Sequence, residues 1–205
     1  MTKIVIASGN KGKIREIRSI LDGFPIDFSS LGDYPHVPEI VEDGKTFFEN
    51  ALKKARVICE FTGEIVLADD SGLEVDWLGG EPGIFSARYA GEDTTDEKNN
   101  RKLLDKMAGV PAEERTARFR CSLVLYYPGG RYETFEGLWH GRISDEPVGA
   151  GGFGYDPVFF LPDRGMTVAQ LPDDVKNTVS HRAQALHKLK ESLDNVFDAK
   201  TIIKT

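Results

Sequence analysis
Two carboxylates, Asp69 and Asp70, stand side by side after the apolar run Ile65-Val66-Leu67-Ala68 and before Ser71-Gly72. Adjacent like charges at the end of a buried segment must be hydrated, paired or bound to a metal ion. Successive side chains of a strand point to opposite faces, so only one of the two can easily face a given cleft. That one is a candidate metal ligand or general base. The other is expected to cap the turn at Ser71-Gly72 or a nearby helix. Upstream, the loop 39–44 offers Glu39, Glu42 and Asp43 as further oxygen donors. So sparse a set suits Mg²⁺, which takes one or two carboxylates and completes its shell with water and substrate phosphates. On its own, the same loop also reads as a solvated acidic turn.

Three further segments could bind a ligand. Ser8, Gly9, Asn10, Lys11, Gly12 and Lys13 lie between an apolar run and a helical pattern, where free backbone N–H groups and the helix dipole favour an anion. This is not a Walker A loop, because Ala7 and Ile14 replace its first glycine and its hydroxyl residue. In the stretch 151–157, glycines flank Phe153, Tyr155 and Asp156, with Gly154 between the rings. Rings on a flexible backbone suit the stacking of a planar base, and equally could tuck into the core. Near the C-terminus, Lys176, His181 and Arg182 gather before and at the start of a helix. Cations there oppose the helix dipole unless something negative binds among them. Taken together, these pieces suggest a nucleotide polyphosphate with Mg²⁺.

The elements that must carry these residues follow from periodicity. Lys3 to Ala7 reads as a buried strand, and Ile14, Ile17 and Leu21 give a helix closed by Asp22-Gly23. Residues 24–44, with three prolines, read as irregular. Thr46 and Glu49 form a capping box for an amphipathic helix ending near Thr62-Gly63. Thr94 and Glu97 suggest another for the helix through Leu103, Leu104 and Met107. Ala117 to Tyr127 and Arg131 to Leu138 form an antiparallel hairpin about Pro128-Gly129-Gly130, and a last helix starts near Ser180. Strands alternate with helices early and run consecutively later, which predicts an α/β fold with a mixed central sheet flanked by helices.

Bulk properties narrow the partners. A net charge of −7 argues against a general nucleic-acid or anionic-membrane binder. Cys59 and Cys121 sit in apolar segments without metal-ligand spacing, as buried thiols of a reducing cytoplasm do. No apolar run reaches the length of a membrane span.

The ordered segments 8–13, 42–55, 68–75, 79–91, 151–159 and 176–186 resemble the inosine triphosphate pyrophosphatase family, which acts on non-standard purine nucleotides. The resemblance implies a single two-lobed domain over 1–197, an active-site cleft between the lobes, and a short polar tail at 198–205. It also implies a homodimer that hydrolyses ITP, dITP and XTP to the monophosphate and pyrophosphate with Mg²⁺. By motif position, Ser8 to Lys13 would bind the triphosphate, while Glu42 and Asp70 would hold the metal. Asp70 would also accept a proton, with Asp69 as a possible assisting base. Ser71 would touch substrate, Phe153 to Asp156 would hold base and sugar, and Lys176, His181 and Arg182 would complete the pocket. A phosphomonoesterase using one aspartate as nucleophile, or a nucleotide sensor without turnover, are the competing readings. The first would release orthophosphate and the second would need no carboxylate set.

Overall fold
The β-branched run Ile4-Val5-Ile6 is buried on both faces, as a strand in the parallel part of a sheet must be. The computed structural model describes the backbone of residues 2–202 and the side chains through residue 193. In chain order it contains β1 (Thr2–Ile6), α1 (Lys11–Ile20), β2 (Ile26–Ser30), α2 (Phe47–Thr62), β3 (Ile65–Val75) and α3 (Asp96–Lys106). There follow β4 (Thr116–Tyr126), β5 (Tyr132–Ile143), β6 (Phe159–Leu161), β7 (Met166–Thr167), α4 (Asp173–Val179) and α5 (His181–Ile202). The strands form one seven-stranded sheet in the order β2-β1-β3-β4-β5-β6-β7. β1 pairs in parallel with β2 and β3, and every pairing from β3 onward is antiparallel. The mixed α/β architecture expected from the sequence is the one observed.

Several local expectations need correction. Ser71-Gly72 is not a turn: β3 runs straight through it, pairing Ser71 with Cys121 and Gly72 with Arg120. Gly72 serves close approach instead, since a Cβ there would lie 2.6 Å from the Gly83 carbonyl oxygen and 2.8 Å from the Phe47 ring. The segment 24–44 is not wholly irregular, because β2 adds an edge strand beside β1. Thr95, not Thr94, caps α3 by accepting from Lys98 N, while Thr94 turns its hydroxyl to Asn99. Lys176 lies within its own short helix, α4, and β5 extends five residues beyond Leu138. Helix α5 continues to Ile202, with no Gly or Pro to stop it at 197, so only 203–205 of the expected tail lie outside the described residues. The capping of α2 is as predicted, with Thr46 accepting from Glu49 N and Gly63 closing the helix at φ 69°.

Apolar packing divides along β3. Its first half packs Leu67 against α1 and α5, through Ile17, Leu186 and Leu189. On the opposite face, Val66 and Ala68 pack against Ala51, Ala55 and Ile58 of α2. Its second half, Leu73 and Val75, belongs to another core with Leu103, Met107, Phe119 and Phe159. The four polar or small residues 69–72 bridge these two packed regions, and a cleft opens there. The sheet therefore runs unbroken beneath two lobes, and β3 presents its carboxylates at the boundary between them.

Candidate active site
The cleft has a volume of about 450 Å³ and draws its walls from both lobes. One wall is the turn before α1. Ser8 Oγ accepts from Asn10 N at 3.1 Å, and Asn10 Oδ1 accepts from Lys13 N at 3.1 Å, so both side chains shape the turn. No acidic residue occupies the first turn of α1, which leaves that helix end free to meet an anion. Ser8, Gly9, Asn10 and Lys13 line the cleft; Lys11 is exposed and, like Gly12, lies outside the lining. Gly12 matters by absence of a side chain, because a Cβ there would meet the Phe153 ring at 2.6 Å.

The alternation of β3 separates the two aspartates. Asp69 is turned towards α5 and fully enclosed. It is paired with Lys13, accepts from Arg182 Nε at 2.8 Å and from Ser71 Oγ at 2.8 Å, and lies 3.3 Å from the Cys121 thiol. Burial pushes its carboxyl up, but Arg182 and Lys13 outweigh burial and hold it well below the usual carboxylate range. The same burial, with Asp69 beside it, raises the Cys121 thiol well above its ordinary value, so it stays a neutral S–H donor. Asp70 faces α2 and lines the cleft. Lys54 Nζ lies 4.0 Å from its Oδ1, and its Oδ2 is buried without a partner. Burial raises its carboxyl to about 6, opposed by Lys13 and Lys54 and reinforced by Glu42 and Asp69.

Lys54 is the residue that sequence reasoning missed on this side. It is paired with Glu42, approaches Asp70, and donates to the Asp69 carbonyl at 3.2 Å. The available signal was its place in the apolar stripe of α2, four residues before Ile58 and three after Ala51. Of the three acids in the loop 39–44, only Glu42 reaches the cleft; Glu39 is exposed, and Asp43 pairs with Lys53 at 2.5 Å. Among the described residues no three His, Cys, Asp or Glu side chains gather as a metal cage. Glu42 and Asp70 nonetheless make a hard-oxygen pair with an ammonium held between them, and Asp70 has an oxygen to spare. Such a donor set fits Mg²⁺, which asks little more of a protein.

The far wall carries the remaining candidates. Arg182 is fully buried and binds Asp69 and Glu16, while Lys176 binds Glu16 at 2.9 Å and Asp156 at 2.6 Å. The result is a chain of alternating charge: Lys13, Asp69, Arg182, Glu16, Lys176, Asp156. Glu16, also missed from the sequence, is its central carboxylate. The expected conflict of cations at the start of α5 is therefore resolved internally, by Glu16 and Asp69. Burial raises the Asp156 carboxyl against the pull of Lys176. For Arg182, burial is outweighed by Asp69 and Glu16, which hold its guanidinium more firmly protonated. His181 is buried and stacked on Phe119 at 4.8 Å, with Nδ1 unpartnered. Burial, then Arg182, depresses it well below its ordinary value, so the imidazole is neutral.

The glycine–aromatic loop divides its rings. Tyr155 is buried and donates to the Ser86 carbonyl at 2.8 Å, whereas Phe153 is half-buried against the cleft, with Lys176 Nζ 4.5 Å from its ring centre. The cleft thus gathers Ser8, Gly9, Asn10, Lys13, Glu42, Asp70, Ser71, Phe153, Gly154, Tyr155, Asp156, Lys176, His181 and Arg182, and leaves Asp69 beneath its floor.

The profile of the Ham1 family matches residues 4–192. The chain belongs to the Ham1 family. Its similarity to curated members of that family spans nearly the whole length. A dITP/XTP pyrophosphatase of Geobacter sulfurreducens is 58% identical over 193 residues, covering 94% of this chain and 97% of that protein. One from Bacillus licheniformis is 51% identical over 194 residues, covering 95% and 99%. Among solved structures, a HAM1 protein from Coxiella burnetii superposes with a TM-score of 0.87 at 40% identity, covering 95% of this chain and all of that one. The Ham1 architecture is thus the mixed sheet with its cleft described above. Among the described residues no helix is long and apolar enough to cross a membrane.

Proposed function
We propose that this chain hydrolyses ITP, dITP and XTP to the nucleoside monophosphate and pyrophosphate, working in the cytoplasm as a homodimer to clear non-standard purines from the nucleotide pool. The observation that carries this reading is Asp70, an under-satisfied carboxylate in the same cleft as an acid-free helix start. Similarity to relatives named dITP/XTP pyrophosphatase supports the substrate class.

Releasing pyrophosphate requires a water oxygen to bond to the α-phosphorus while the bond to the α–β bridging oxygen breaks. A carboxyl poised near 6 is ionised at neutral pH and can take the proton that the water loses. Ser8, Gly9 and Asn10 offer donors, and Lys13 a charge, to the departing pyrophosphate. The half-buried Lys13 and the buried Arg182 and Lys176 already have carboxylate partners. A bound triphosphate therefore calls for further positive charge, and Glu42 and Asp70 are the residues that would hold Mg²⁺. The ion would neutralise phosphate charge and activate water. At the base end, Phe153 offers a ring face, and neutral His181 can donate an N–H to a 6-oxo group. Adenine, which presents an amino donor there, would leave that buried donor unpaired.

With Mg²⁺ and separate samples of ATP, GTP, ITP and XTP, pyrophosphate should appear from ITP and XTP in large excess over ATP. Orthophosphate as the first product, or equal turnover of ATP and ITP, would overturn the reading. Light scattering on the eluting protein should give twice the chain mass of 22.7 kDa.

A further inference from the structure
Helix α3 supplies no residue to the charge chain, yet it grips both loops that wall the base end of the cleft. Asn99 Oδ1 accepts from Ala90 N at 2.8 Å, and its Nδ2 donates to the Ala87 carbonyl at 3.2 Å, which fixes the loop 83–91. The neighbouring Asn100 donates through Nδ2 to the Gly154 carbonyl at 3.0 Å. Asp96 Oδ2 accepts from Gly154 N at 2.7 Å. Both backbone polar groups of Gly154 are therefore satisfied by α3 and not by its own loop. On either side of that glycine, Asp156 accepts from Phe153 N at 2.9 Å, and the Tyr155 hydroxyl ties the loop to Ser86. Behind the loop lies a second cavity of about 690 Å³, lined by Asp96, Asn100, Phe153 and Gly154 among others. The strip 153–154 is thus a thin wall between two spaces, and α3 provides its fixed anchor. Left unanchored, a glycine-rich wall of this kind would lose the order that presents Phe153 to a flat ligand.

We infer that Asp96 and Asn100 are positioning residues for the base-binding wall: they set Phe153 against the purine by clamping Gly154, and leave the reacting phosphate untouched. The inference rests on the nucleotide reading above. It predicts a split between binding and chemistry, because the clamp acts at the opposite end of the ligand from Asp70.

The test compares wild type with Asp96→Ala, Asp96→Asn and Asn100→Ala, following pyrophosphate release from ITP and, by calorimetry, the affinity for IMP. Asp96→Ala should raise KM for ITP and Kd for IMP about tenfold, the worth of one charge-assisted hydrogen bond, with kcat within about twofold. Asp96→Asn keeps an acceptor oxygen and should restore most of both constants. Asn100→Ala should act in the same direction. Asn100 is buried and its variant can misfold; Asp96 is exposed, so its pair of variants decides the matter alone. Unchanged IMP affinity in Asp96→Ala overturns the clamp, as does a fall in kcat at constant KM, or equal behaviour of Asp96→Ala and Asp96→Asn. If wild type binds IMP but releases no pyrophosphate from ITP, the proposed reaction fails, and the IMP measurements still judge the clamp.

Discussion

The two faces of β3 treat adjacent aspartates in opposite ways. On the α5 face, Asp69 is surrounded by Lys13, Arg182, Ser71 and Cys121, all able to donate to it. On the α2 face, Asp70 has one ammonium at 4.0 Å and an oxygen with no partner. Saturation keeps the first carboxylate ionised at neutral pH and makes it a structural joint. Scarcity makes the second a group with unused capacity. One residue of displacement along a strand is enough to separate a saturated carboxylate from one with an oxygen to spare.

The contrast breaks most severely at Asp70. Asp70→Asn should lower pyrophosphate release by at least about a thousandfold, since the proposed base and metal ligand are lost together. The same change should stabilise the metal-free protein. A carboxyl raised from 3.8 to about 6 binds its proton more tightly folded than unfolded, so stability falls as pH rises through that window. At neutral pH the penalty is about 3 kcal/mol. Chelator-treated Asp70→Asn should therefore melt higher than wild type at pH 7, with the gap closing near pH 4.

Asp69→Asn should behave in the opposite way, costing about 3–5 kcal/mol in denaturant titration because Arg182 and Lys13 lose a shared buried partner. Its folded pKa is depressed, so the stability it confers is present above the unfolded value and is lost as pH falls through the folded one. Equal stability of Asp69→Asn and wild type at neutral pH would erase the distinction between the faces. The mildest perturbation is Cys121→Ala, which removes one weak donor from Asp69 and a small buried volume. It should cost about 1–2 kcal/mol by the same titration, with turnover nearly intact.

What the sequence made legible was local or periodic. Thr46 and Glu49 announced α2, the β-branched run announced β1, the long stretch closed by Pro128-Gly129-Gly130 announced β4, and alternation predicted that Asp69 and Asp70 would part. What it hid depended on distant chain. Gly72 looks like a turn until Gly83 and Ser86 are seen lying against it. Lys54 and Glu16 look like ordinary surface charges of amphipathic helices until their partners arrive from other elements. Residues 26–30 gave little signal because an edge strand with one buried residue has little apolar pattern to show. Even Tyr155, for which stacking and burial were equally open, is tied into the core by a carbonyl 69 positions earlier.

The chain of alternating charge also has a history in time. Its members emerge from the ribosome far apart: Lys13 and Glu16 near the beginning, Asp69 a third of the way through, Arg182 near the end. The ion pair between Arg182 and Glu16 closes a separation of 166 residues. A nascent chain lacking α5 could still form the pairs Lys13–Asp69 and Lys176–Glu16, but without Arg182 nothing would join them into one chain. The two halves of the cleft floor would then lock together only when the last helix docks, so the order of synthesis becomes the order of assembly.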